Sequence, residues 1–104
     1  MNVKIYNKLV RDDIPKVIEE SNKKCETEVV KGEELSKLLN EKLQEEVNEY
    51  LESNDIEELA DILEVIHGIL HNKGITIEEL EDIRINKKEE RGGFLKGIKL
   101  LKVY

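Results

Sequence analysis

Glu45-Glu46-Val47-Asn48-Glu49 and, beyond the break Glu52-Ser53-Asn54-Asp55, Glu58-Leu59-Ala60-Asp61 decide how this chain is read. Residues three apart on a helix share a face, so Glu46 with Glu49, and Glu58 with Asp61, each aim their oxygens at one point. Two such helices packed antiparallel bring four carboxylates together. That much negative charge repels itself, and a hard divalent cation such as Mg²⁺, which takes oxygen ligands, resolves the repulsion. The competing reading is that these are solvated charges on amphipathic helices, since an acidic chain generates ExxE and ExxD by chance.

Stepping each helix by about 100° per residue separates the two readings. On a first helix over 33–52, Leu35, Leu38, Leu39, Leu43 and Tyr50 form one apolar stripe, and Lys42, Glu46 and Glu49 fall inside it. On a second helix over 55–72, Ile62, Val65 and Ile69 flank the direction of Glu58, with Asp61 at the stripe's edge and Glu57 and Glu64 pointing elsewhere. Ionised carboxylates on a core-facing surface are costly unless paired or metal-bound. Their placement therefore favours the metal.

Outward from these helices, the remaining elements follow from local signals. Residues 1–6 alternate weakly, as a short strand or extended arm does. Asp13-Ile14-Pro15 marks a helix start, and a helix to about Asn22 buries Ile14, Val17 and Ile18. Residues 27–30, followed by Lys31-Gly32, read as a strand and turn. Gly74 stands at a helix C-cap, while Thr76 with Glu79 makes a capping box for a further helix to about Glu90. Arg91-Gly92-Gly93-Phe94 breaks that helix, and residues 98–103 read as a final strand pairing with 27–30 or the N-terminus. The expected fold is mainly α: a four-helix-type bundle with a small β element from short segments near the two ends. The chain reads as a single domain, 1–104.

Composition narrows the function. The 104 residues carry a net charge of −7, which divides unevenly: residues 84–104 are about +5 and the rest −12. An acidic body argues against duplex nucleic acid, which is bound through a broad basic face. An acidic centre beside a basic tail suits a small phosphorylated ligand, although surface lysines are the plain alternative. No long apolar run and no signal-peptide pattern occur, so no membrane partner and a cytoplasmic location are expected. The single Cys25 forms no internal disulfide. His67 and His71 share a helix face but point well away from Glu58 and Asp61, as surface histidines do. The second helix is apolar over more than half its circumference, which predicts a homodimer or higher homo-oligomer.

The chain resembles the MazG-like members of the all-α nucleotide pyrophosphohydrolase superfamily, in its small single-domain branch. The resemblance is carried by the EExxE of Glu45 to Glu49, the ExxD of Glu58 to Asp61, Tyr6-Asn7-Lys8-Leu9-Val10-Arg11-Asp12 at the start, and Lys88-Glu89-Glu90-Arg91-Gly92-Gly93-Phe94 near the end. It implies Mg²⁺, with Mn²⁺ as the alternative, on Glu46, Glu49, Glu58 and Asp61. It further implies that Glu45 orients or deprotonates an attacking water, and that Lys42, Lys88 and Arg91, with Lys87 beside them, contact substrate phosphates. The implied reaction is hydrolysis of a small-molecule nucleotide, a nucleoside triphosphate, between the α and β phosphorus atoms, giving a monophosphate and pyrophosphate. The short gap between the acidic motifs requires a tight hairpin, and Asp13 stands where the family pattern has Lys. Two alternatives stay open: a non-catalytic helical dimerisation or regulatory module of the same fold, and a phosphoribosyl-ATP pyrophosphohydrolase.

Overall fold

The computed structural model describes residues 2–104, in which four helices carry the regular structure: α1 (Ile14–Glu20), α2 (Gly32–Ser53), α3 (Ile56–Lys73) and α4 (Ile77–Arg91). The chain is mainly helical. Two compact units contain it, one ending at Gly74 and one spanning Ile75–Tyr104. Among the described residues no helix is long and apolar enough to cross a membrane.

Within the first unit, α2 and α3 form a hairpin whose link is Asn54-Asp55 alone. Asn54 takes the left-handed conformation at φ 57°, ψ 22°, which asparagine adopts more readily than bulky or β-branched residues. Asp55 is extended and its backbone N–H donates to Ser53 Oγ at 3.1 Å. Acidic residues occupy the first turn of both helices, Glu33 and Glu34 on α2 and Glu57 and Glu58 on α3, where the helix dipole favours them. Gly74 closes α3 in the left-handed region at φ 70°.

Three contacts fix the hairpin's register, running down α2 as they climb α3. Asn72 Nδ2 donates to the Gly32 carbonyl at 3.3 Å. Leu39 lies against Gly68, so closely that a Cβ there would stand 3.0 Å from Leu39 Cδ2. Glu46 meets Glu58 and Asp61. The helices are therefore antiparallel, and the buried apolar residues, Leu39, Val65 and Leu70, lie on their facing stripes. Ile14 and Ile18 of α1 are half-buried, whereas Val17 is exposed.

In the second unit, Thr76 Oγ1 accepts the Glu79 backbone N–H at 3.1 Å, the Thr half of a capping box at the start of α4. This helix has no buried residue. It ends at Gly92, where φ is 84°.

The expected β element is not formed: among the described residues there is no strand. The stretch expected at 1–6 lacks description only at Met1, which lies outside the described residues; 2–6, 27–30 and 98–103 are irregular. A segment of four to six residues is stable as a strand only when its backbone groups are paired and its alternate side chains packed. Here those side chains pack on little. Val29 is 92% exposed, and Ile98 and Val103 are exposed as well.

Candidate metal centre

Leu39 and Glu46 lie two turns apart on one stripe of α2, and the packing that buries the leucine also buries the carboxylate. Glu46 is only 7% exposed. One turn before it, Lys42 places its Nζ 3.4 Å from Glu46 Oε1. The other oxygen, Oε2, is buried with no hydrogen-bond partner. An orphaned buried carboxylate oxygen carries the full penalty of its lost hydration.

The Glu46 carboxylate lies among further carboxylates. Oxygens of Glu45, Glu46 and Glu49 lie within 4.8 Å of one another, and so do oxygens of Glu46, Glu58 and Asp61. Glu46 is the shared corner of the two groups, one within α2 and one spanning the hairpin. Two ligands of one hard cation at about 2.1–2.4 Å stand at most about 4.2–4.8 Å apart, and neighbouring ones about 3.0–3.4 Å, so each group lies within reach of a shared ion once its oxygens draw together. The donor set is all oxygen, with no His or Cys in either group. A divalent cation of the hard class fits it.

Crowding marks the acids themselves. Burial first, and then the neighbouring Glu49, push the Glu46 carboxyl above the ordinary glutamate range, against the pull of Lys42. Glu58 is raised as well, by desolvation and then by the charges of Asp61 and Glu46. Glu45 moves the other way, because it accepts a hydrogen bond from Lys8 and lies beside Lys42. Two cations from the arm before α1 thus reach the cluster: Lys8 Nζ sits 2.8 Å from Glu45 Oε1, and an Arg11 guanidinium nitrogen 2.7 Å from Asp61 Oδ1. Both lie within Tyr6 to Asp12, where residue pattern alone assigns them no role. No helical period links residue 8 to 45 or 11 to 61, so only the charge imbalance of the hairpin hinted at them.

Lys42 lies half-buried between Glu45, at 3.3 Å, and Glu46. Lys88 and Arg91 occupy the last turn of α4, in the second unit, where basic side chains complement the helix dipole; Lys87 is exposed on the same helix. His67 and His71 are exposed on α3, outside both carboxylate groups, and Cys25 is a half-buried free thiol. No family model matches this chain, and neither a curated protein nor a solved structure does.

Proposed function

We propose that this chain is a Mg²⁺-dependent nucleotide pyrophosphohydrolase that cleaves nucleoside triphosphates between the α and β phosphates. The observation that carries the reading is Glu46, an almost fully buried carboxylate with an orphaned oxygen that shares groups with acids from both helices of the hairpin. Glu46, Glu49, Glu58 and Asp61 hold the ion, with Mn²⁺ as the alternative metal. When bound, the ion supplies neutralisation of phosphate oxygens and a lowered pKa for water. The EExxE and ExxD motifs and their resemblance to the MazG-like pyrophosphohydrolases supply the substrate class.

The side chains divide the remaining work. Glu45, held ionised by Lys8, accepts a hydrogen bond from the attacking water and orients it. A carboxylate so stabilised is a weak base, so orientation is its main contribution. Lys42 compensates the charge of Glu45 and Glu46 and lies close enough to meet a phosphate oxygen entering the cluster. A homo-oligomer completes a four-helix core around two hairpins, in the cytoplasm.

A second reading, a non-catalytic module of the same fold, is favoured by the two ion pairs from the arm. Lys8 and Arg11 neutralise two of the five acids with no metal. The two readings separate on product release from a panel of nucleoside triphosphates, with Mg²⁺ and then with EDTA. The enzyme reading predicts metal-dependent release of monophosphate and pyrophosphate together. Release of single phosphate would mean the wrong bond, and no turnover with any triphosphate would favour the module.

A further inference from the structure

Among the described residues three cations touch the acidic cluster, and they are held in two different ways. Lys42 rises from α2 itself, its side chain 17% exposed, and contacts both Glu45 and Glu46. Lys8 and Arg11 belong to an arm with no regular structure, in which all residues from 2 to 12 except Leu9 are exposed. Their side chains are 42% and 56% exposed, and each is paired with a single carboxylate. Ion pairs this open to water are weak and readily exchanged. The arm nevertheless bridges the hairpin, with Lys8 on Glu45 of α2 and Arg11 on Asp61 of α3.

Asp61 thereby serves two groups. It is Arg11's acceptor and a corner of the Glu46, Glu58 and Asp61 triad, whose buried member, Glu46, carries the orphaned oxygen. A divalent cation on that triad satisfies Asp61 and removes most of what attracts the guanidinium. We infer that Arg11 is an exchangeable counterion: it neutralises Asp61 in the metal-free chain and passes to the oxygens of a diphosphate-bearing anion once a cation holds the triad, while Lys8 adds a second positive charge for that anion from its place on Glu45. This rests on the metal and nucleotide reading above. Arg11 is the more specific of the two, because its planar fork grips phosphate oxygens in pairs, whereas Lys8 acts as a point charge. The cation and the anion then arrive in a fixed order. The arm stays over the hairpin throughout, changing partners rather than leaving.

The test measures binding, not turnover. Mn²⁺ is titrated into the full-length wild type, Arg11→Gln and Lys8→Gln, followed by inorganic pyrophosphate in the presence of Mg²⁺. Arg11→Gln removes a competitor for Asp61, so Mn²⁺ binds about threefold tighter. The same variant loses a phosphate contact, so pyrophosphate binds roughly tenfold more weakly. Lys8→Gln moves both affinities in the same directions by less. A merely structural ion pair would weaken both ligands together. In the wild type, the Arg11 Nε–H signal in ¹H–¹⁵N spectra is expected to shift with Mg²⁺ and again with pyrophosphate, which keeps the inference testable should a variant fail to fold. Unchanged or weakened Mn²⁺ binding in Arg11→Gln, unchanged pyrophosphate binding, or an Arg11 signal that ignores both ligands would overturn it. A wild type that binds no Mn²⁺ would overturn the metal reading and this inference with it; a wild type and Arg11→Gln that bind Mn²⁺ equally would overturn this inference alone.

Discussion

Glu46 is the residue on which the site turns, and its position follows from the apolar stripe of α2. The pattern that buries Leu39 buries Glu46 two turns later. Its consequence for stability has a definite sign. A carboxyl whose folded pKa is raised stabilises the fold below the ordinary glutamate range, and that contribution is lost as pH rises through the raised value. Glu45 behaves oppositely, stabilising above the ordinary range and losing that contribution as pH falls through its depressed value. In EDTA, Glu46→Gln is therefore expected to melt higher than the wild type at pH 8, by about 1–2 kcal/mol, with the gap closing as pH falls to 4. Melting curves across that range check this; a variant less stable at pH 8 would mean that the charge is already well compensated by Lys42. The individual acids were legible in the sequence because helical spacing is a local rule. Lys8 and Arg11 were not, because their pairing depends on how an irregular arm lies across a hairpin.

Among the elements, the helices and their ends are legible in the sequence, whereas the strands that propensity suggests are not formed among the described residues. Gly74 as a C-cap and Thr76 as an N-cap act within one turn of chain, so residue identity suffices to place them. The short gap between the acidic motifs also told truly, since the turn is closed by Asn54-Asp55. The segments 27–30 and 98–103 have β-branched and apolar residues, but a strand is defined by its partner, and propensity alone does not supply one. Gly68 had no evident purpose in the sequence. In the hairpin it gives Leu39 room, with an added Cβ only 3.0 Å from Leu39 Cδ2. Gly68→Val is expected to cost about 1–3 kcal/mol by forcing the helices or Leu39 aside. Chemical denaturation measures it; a variant as stable as the wild type would show that the contact is loose.

For the whole molecule, the telling feature is how little apolar surface is hidden. Leu39, Val65 and Leu70 are the buried apolar residues among those described, while Ile56 is 75% and Leu63 54% exposed along α3 with Leu59 beside them. A chain of this size rarely stands on so thin a core. A homo-oligomer with the α3 stripes covered is expected, and Leu63→Glu should shift the wild-type assembly to a smaller species in sedimentation equilibrium. A monomeric wild type would remove that expectation. The acidic body and basic tail were legible as composition, but which faces meet was not, since an interface belongs to two chains and the sequence describes one. The carboxylates of the α2–α3 hairpin are proposed to hold a divalent cation. The most direct test is a Mn²⁺ titration followed by electron paramagnetic resonance, on the wild type and on Glu46→Gln. Saturable binding in the wild type that Glu46→Gln weakens at least tenfold, about 1.4 kcal/mol or more, is the predicted result. No saturable binding, or equal binding by both proteins, would contradict it.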